Sequence, residues 1–598
     1  MKNWMCLGVI LAGTMLSATS CLDKDYDLNN LDLTLGLGSE GLSVKVGETE
    51  KIFLKDILEV DNTIKVDGSN LYYLEESGTS DYNFSVEKVT TSVSDATISS
   101  KQRVLSFESA LEQMPELDAS ITEFNVPADF APTGYAEGAA RTDLSVDNIS
   151  SDVKSLSRVY SNDLNFSLSL EMVTSPGVNF KIRAIKNFKI KVPSYLHITR
   201  LSDGWVLKEN NLLEYPGELT YNNSEICSLT ADYVDLGEYG IPVNNSIVLG
   251  DEMVEATASG EVDFYTVAPF TMRKGDFADA VVTIKNSASN NQISIDAVTG
   301  RFNPVIDVAP QQIDIAGSLP DFLKDEAVRV SVSNPTIKLS SDMTAIPLGV
   351  NVSAELQSVK NGADGFTRTV GLPKVAVDNN QMNTVYYYQG NAPYDPEGVV
   401  TPSKQQLVGN LSTLLERLPD YINVDFGNGK VAVQDKDYTI TLGQNYNTSF
   451  NYKVYVPFEF SDGLTIVYND STDSFEDDLA DYTAEGVTVM AEAYSSIPLE
   501  LVANLYAVDV NGNEIPDIHF EKAFIAPSAD GKTEQRTDVK ISARLEDPAL
   551  LQKIDRLFFK INATSEATQT SHKLYSTQYL QFKEMKLRLD GQVTGNFN

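Results

Sequence analysis

Apolar and polar residues alternate along most of this chain. "LNFSLSLEM" (164–172), "FKIRAIKNFKIKVP" (180–193), "AVRVSVSNPTIKL" (327–339) and "YTITL" (438–442) all repeat with period two, as in a strand whose side chains point alternately to two faces. Val, Ile, Thr, Tyr and Phe dominate these runs, and such residues fit a pleated, half-buried surface. The pattern predicts antiparallel strands with one face in a core and one in water. The expected fold class is mainly β: tandem antiparallel β-sandwich domains with a few short capping helices.

Two stretches carry helical spacing instead. In "TPSKQQLVGNLSTLLERLPDY" (401–421), Thr401 and Pro402 read as a start, Leu407, Leu411, Leu414, Leu415 and Leu418 fall on one stripe, and Pro419 ends it. In "EDPALLQKIDRLFFKI" (546–561), Asp547 caps a second helix and Pro548 opens it. Each runs directly into a strand, so both are expected to cap sheets with their leucines in the core.

Local echoes suggest duplication. "NFKIKVP" (187–193) resembles "NYKVYVP" (451–457), and "AIPLGVNVSAELQSVKNG" (345–362) resembles "SIPLELVANLYAVDVNG" (496–512), each of the latter pair with I-P-L, an alternating strand and an N-G turn. "LPDFL" (319–323) and "LPDYI" (418–422) echo in the same way. A repeated strand pattern needs a repeated partner sheet to bury its apolar face. At 598 residues the chain exceeds what one core supports. The expected organisation is a leader at 1–20, an acidic and glycine-rich tether at 21–40, β-rich structure over 41–270, a β-sandwich over 271–400 and another over 401–598 opening with a helix.

The leader changes the picture most. "MKNWMCLGVILAGTMLSATS" has a basic start at Lys2, an apolar run from Trp4 to Leu16 and small residues before Cys21, which is the layout of a secretory signal. The run is shorter than the ~20 residues a membrane helix needs, and no membrane span is expected. Ala18, Thr19 and Ser20 before Cys21 fit a lipobox, with Ala18 where leucine is usual; they also fit an ordinary signal-peptidase cut. Apart from Cys6 in the leader, only Cys21 and Cys227 remain, a poor disulfide framework that acylation of Cys21 would explain.

With 46 basic and 84 acidic residues the formal charge is −38, which argues against nucleic acid as a partner. Chemical motifs fail one by one. "GLGSEG" (36–41) satisfies G-x-G-x-x-G, but a strand pattern follows it where a dinucleotide site needs a helix. "DVNGNEIPD" (509–517) begins like a calcium loop, yet Glu514 stands at the glycine position and Phe520 at the bidentate-acid position; an N-G hairpin explains it. The acidic run "NDSTDSFEDDLADY" (469–482) fits the solvated first turn of a helix as readily as a cation site. His197, His519 and His572 are not at metal-ligand spacing. No catalytic residue, metal site or cofactor is expected, although a pair of carboxylates able to hydrolyse glycans is beyond a sequence argument to exclude.

Aromatic residues are the remaining lead. "TVYYYQGNAPYDPEG" (384–398) places Tyr386, Tyr387, Tyr388 and Tyr394 in a stretch rich in Gly, Pro and Asn, and Trp205 is the one tryptophan after the leader. These could form a stacking surface for a glycan or a protein partner, or fill a strand that buries one face.

The leader, the lipobox, the acidic "CLDKDYD" and the Tyr- and Thr-rich β-body together resemble the surface lipoproteins of Bacteroidota. The resemblance covers the first twenty-seven residues and, in general texture, the body. It implies a lipid anchor on Cys21, attachment to the outer membrane, and an export signal at Asp23, Lys24, Asp25 and Asp27. The function expected is non-enzymatic binding, adhesion or envelope assembly; a glycan-binding accessory protein is the alternative, and a glycan hydrolase a further one.

Overall fold

The computed structural model describes residues 36–595 apart from 39–40, 59, 61–62, 86–89, 93–96, 142–143, 147–148, 222–224, 238–239, 250–254, 287–291, 304–310, 316–327, 363–364, 427–429, 461–463, 472–481, 566–571 and 591–593. Cys21, Asp23, Lys24, Asp25 and Asp27 lie outside the described residues, as does "LPDFL" at 319–323. The fold is mainly β, and its long strand pairings are antiparallel.

Three strands of seven residues or more come from the N-terminal segment: β1 (Gly41–Gly47), β2 (Tyr72–Ser85) and β3 (Thr97–Ser106). Three units follow, each with seven strands in common and shorter additions of its own. Unit 1 holds β4 (Thr133–Arg141), β5 (Asn165–Thr174), β6 (Phe180–Lys191), β7 (Leu212–Thr220), β8 (Glu225–Asp235), β9 (Glu255–Thr266) and β10 (Phe277–Asn286). Unit 2 holds β11 (Gln311–Asp314), β12 (Thr336–Asp342), β13 (Val350–Lys360), β14 (Phe366–Val377), β15 (Met382–Tyr388), β16 (Tyr421–Asp425) and β17 (Asn445–Pro457). Unit 3 holds β18 (Thr465–Ser471), β19 (Gly486–Ser495), β20 (Glu500–Val508), β21 (Ala523–Ile525), β22 (Gln535–Leu545), β23 (Arg556–Thr564) and β24 (Tyr579–Asp590).

One pairing scheme recurs in all three. In unit 1 the second strand pairs with the fifth and seventh, the third with the fourth and sixth, and the first with the sixth. Units 2 and 3 repeat every one of these pairings. The alternating strands of each unit thus form two sheets that bury their apolar faces against each other. The structure is a triplicated sandwich. The I-P-L echo falls on equivalent places, the crossover from second to third strand in units 2 and 3. The other echo does not, because "NFKIKVP" lies in the third strand of unit 1 and "NYKVYVP" in the seventh of unit 2.

The seventh strand of each unit is flanked by a strand from the N-terminal segment, taken in reverse order. β3 pairs with β10 in unit 1, β2 with β17 in unit 2 and β1 with β24 in unit 3. The chain therefore passes unit 3, then 2, then 1, and returns through 1, 2 and 3. Sequential domains over 41–270, 271–400 and 401–598 are corrected accordingly: each unit combines its own stretch with a strand from residues 41–106, a long-range pairing that leaves no local trace. Val104, Leu105 and Phe107 sit in the unit 1 core with Leu168, Phe188 and Phe264, whereas Ile52, Leu54, Ile64 and Tyr72 join a core shared by units 2 and 3. Tyr438–Thr441 pairs with Ala297–Gly300 and ties unit 2 to unit 1. No strand pairing joins units 1 and 3 among the described residues.

The expected helix over 401–421 is not formed. Lys404–Leu407 instead adds in parallel to Val385–Tyr388, and only Leu411–Leu414 makes a 3-10 turn. Strand hydrogen bonds and a sheet to lie on outweigh helix propensity here: Leu411, Leu414, Leu415 and Leu418 are buried, while Leu407, on the added strand, is exposed. Asp547 does cap, accepting a hydrogen bond from the Ala549 N–H, but the helix is a six-residue 3-10 segment, Pro548–Lys553. Both turns occupy the same place, between the fifth and sixth strands of their units. In the expected glycine tether, Gly36–Gly38 pairs back on Gly41–Ser43.

Candidate functional site

The aromatic residues singled out in the sequence do not form an open surface. Tyr386 and Tyr387 are fully buried and Trp205 is buried. The Trp205 indole N–H donates to the Ile226 carbonyl at 3.0 Å, and its ring meets Phe188 and Tyr215 edge-on. Tyr387 points into the core shared by units 2 and 3, donates to the Pro373 carbonyl at 3.2 Å, and has its hydroxyl pKa pushed up to about 12 by burial. Tyr386 faces the other side of the sheet and is covered by the loop that follows it, 389–400. Consecutive tyrosines are thus buried on both faces of one strand. Tyr388 and Tyr394 are half-buried.

That loop builds a polar latch. The Asp395 side chain is fully buried and receives the Lys338 ammonium at 2.8 Å and the Tyr386 hydroxyl at 2.7 Å; the Glu397 backbone N–H donates to its second oxygen at 3.0 Å. The Tyr386 hydroxyl in turn accepts from the Val400 N–H at 3.1 Å. Glu397 bridges Lys453 at 2.7 Å and Lys338 at 3.6 Å. The Tyr394 hydroxyl donates to Asp67 at 3.0 Å, and Tyr73, Tyr394 and Tyr455 pack with centroids 5.9–6.4 Å apart. Asp67 and Tyr73 belong to the N-terminal segment. The tyrosines therefore fasten that segment to unit 2, which is a structural task. Asp395 and Glu397, both bound to lysines, are placed to hold charge rather than to exchange protons.

Burial pushes the Asp395 carboxyl up, but hydrogen bonds from Lys338, Tyr386 and the Glu397 N–H outweigh it and hold it below the usual carboxylate range. Asp67 is likewise raised by burial and lowered further by Ser69, the Leu71 N–H and Tyr394. A carboxylate with a depressed folded pKa stabilises the fold above the unfolded value of about 3.9, and that contribution is lost as pH falls through the folded pKa. Acidification from pH 5 towards 2 is therefore expected to loosen the latch, seen as a falling melting temperature whose acid limb is shallower in Asp395→Asn.

Outward-facing groups concentrate on unit 1. His197, Tyr233 and Tyr160 are register neighbours across three strands. His197 stacks on Tyr233 at 4.4 Å and 8°, Tyr160 lies tilted against it at 5.3 Å and 54°, and the Arg158 guanidinium lies 4.8 Å from the Tyr233 ring. His197 Nδ1 is 2.7 Å from Asp232. With its faces covered, Tyr233 offers an edge and not a platform for a sugar ring. Strand alternation in "HITR" and "ADYVD" marks these as outward positions, but alternation says nothing of how rings stack.

A second feature is the hairpin at Gly240–Leu249, "GIPVNNSIVL". Asn244 and Asn245 both adopt left-handed backbone, with φ of 53° and 62°, and the Val243 N–H donates to Ser246 O at 2.8 Å while the Ser246 N–H donates back at 3.1 Å. This is the tight two-residue turn that asparagine favours. Ile247 and Leu249 are buried, but Ile241, Val243 and Val248 are 65 %, 68 % and 53 % exposed. A bond from Leu156 N–H to Gly240 O at 2.7 Å fixes the base, and one from Ile149 N–H to Asn245 O at 2.9 Å holds the turn itself. A side chain at Gly240 would lie 1.6 Å from the Leu156 carbonyl oxygen, so this close approach requires glycine. The segment thus carries three exposed aliphatic side chains on a chain of formal charge −38.

The loop at 509–517 is a hairpin. Asp509 accepts from the N–H groups of Asn511 and Asn513, both at 2.9 Å, and Gly512 takes a positive φ. No cluster of three potential metal ligands occurs among the described residues, nor does a helix long and apolar enough to cross a membrane.

No family model matches the chain, and no curated protein matches it. Among solved structures, a protein of Parabacteroides distasonis described as secreted is 13% identical, covering 50% of this chain and 89% of that one with a TM-score of 0.33. A particle derived from infectious bursal virus is 11% identical over 89% of this chain and 80% of that one, with a TM-score of 0.12. Likenesses of this order set no family and assign no activity.

Proposed function

We propose that the chain is an outer-membrane protein held by acyl chains on Cys21, facing the cell surface and serving as a non-enzymatic binding or envelope-assembly subunit. Two acyl chains on one residue give stable anchoring where one is marginal. The observation that carries the reading is the position of the chain ends. β1, which follows the tether, pairs with β24, the last long strand, so both ends meet in unit 3. Among the described residues a strand pairing ties unit 1 to unit 2 and none ties it to unit 3, while units 2 and 3 share a core. A glycan-binding role gains nothing from Tyr386, Tyr387 and Trp205, which are in cores.

Protease treatment of intact cells tests the reading, with Cys21→Ser as control. The wild type is expected to stay with the membrane fraction and to be cleaved from outside, and Cys21→Ser to appear as a free pool. Wild-type protein that is protected in intact cells and cleaved only after lysis would rule out surface exposure.

A further inference from the structure

The three N-terminal strands are not held alike. β2 meets β17 over thirteen register partners and β3 meets β10 over nine, but β1 meets β24 over five. β3 is also fixed by Lys101 and Arg103 on the buried Asp279, and the start of β2 by the tyrosine latch. The segment on unit 3 relies on a different set of contacts. Thr49 N–H donates to Phe582 O at 2.9 Å, Phe582 N–H donates to Thr49 Oγ1 at 3.0 Å, and Leu54 N–H donates to Gln578 O at 2.7 Å. Ile52, in register with Leu580, is buried together with Leu54 and Leu58. Beyond Leu58 the chain surfaces at Val60, 60 % exposed, before Ile64 enters unit 2.

We infer that residues 41–58 are a separable ligand of unit 3, and that the edge of β24 which they cover, with the core places of Ile52, Leu54 and Leu58, is a strand-acceptor site for this segment. Its main-chain hydrogen bonds give affinity, and the three aliphatic side chains give selectivity, as in other cases of strand addition to a sheet edge. Docking also sets reach, a consequence that rests on the anchor reading. With the segment docked, residues 21–35 span at most about 50 Å; released, residues 21–63 span about 150 Å.

The test uses full-length mature Cys21→Ser protein with residues 59–62 replaced by the recognition sequence of a specific protease. It needs no acyl group, so it stands or falls separately from the anchor reading. After cleavage the N-terminal piece is expected to co-elute with the body and to be exchanged for a fluorescent peptide of residues 41–58. Uncut protein should take up little of it, and the same peptide carrying Ile52→Asp and Leu54→Asp should enter the cut protein at least tenfold less. Cut protein that takes up neither peptide, or both alike, would overturn the inference.

Discussion

Deleting residues 579–598 is expected to unfold unit 3 and free the N-terminal segment while unit 1 keeps its structure. β24 supplies nine register partners to β19 and five to β1, and it buries Leu580, Phe582 and Met585 almost completely. Burial of three such side chains is worth roughly 5–9 kcal/mol, comparable with the whole stability of a domain. Unit 3 has no substitute strand. Trp205 reports on the outcome, since it is the one tryptophan besides Trp4 and lies in the unit 1 core. Its emission should stay that of a buried indole, while far-ultraviolet circular dichroism loses strand signal and trypsin gains access at Lys51 and Lys55. A shift of Trp205 emission to that of a solvated indole would mean that unit 1 does not stand apart from unit 3.

Replacing Asp395 by alanine should cost about 3–5 kcal/mol, because it leaves the Lys338 ammonium nearly buried without its partner. The side chain of Lys338 is 10 % exposed and that of Asp395 is fully buried, which separates this pair from the many surface ion pairs whose loss costs about 0–1 kcal/mol. The double change Lys338→Met with Asp395→Leu removes both charges and should recover most of the loss. Denaturant unfolding with an unchanged slope measures it. A single-variant loss below about 1 kcal/mol would show that Glu397 and water replace Asp395 at the ammonium.

How far the molecule could be read from its residues depends on the range of the interaction. Strand alternation is local, and the runs at 164–172 and 180–193 became β5 and β6 with one face buried. Asp547 and Pro548 marked a helix start correctly because capping is decided within three residues. The stretch 401–421 was misread because its leucines satisfy a helical stripe and a sheet-covering turn equally, and the neighbouring strand at Val385–Tyr388 decided between them. The repeat was half visible: I-P-L marks a true equivalence, but any strand ending in proline resembles another. Pairings such as Leu42 with Leu589 join residues at opposite ends of the chain and carry no local signature. For the tyrosines, the sequence offered surface and core as alternatives. The loop 389–400 and Asp67, remote in sequence from Tyr394, close off the outer side.

The N-terminal segment completes the three units in reverse order, and cysteine pairs placed at register partners test this most directly: Leu42 with Leu589, Thr79 with Asn451, and Ser99 with Thr283. Under mild oxidation all three pairs are expected to form intramolecular disulfides, and the permuted pair Leu42 with Thr283 to form none. Cross-linking of the permuted pair, or failure of Leu42 with Leu589 in folded protein, would contradict the nested arrangement.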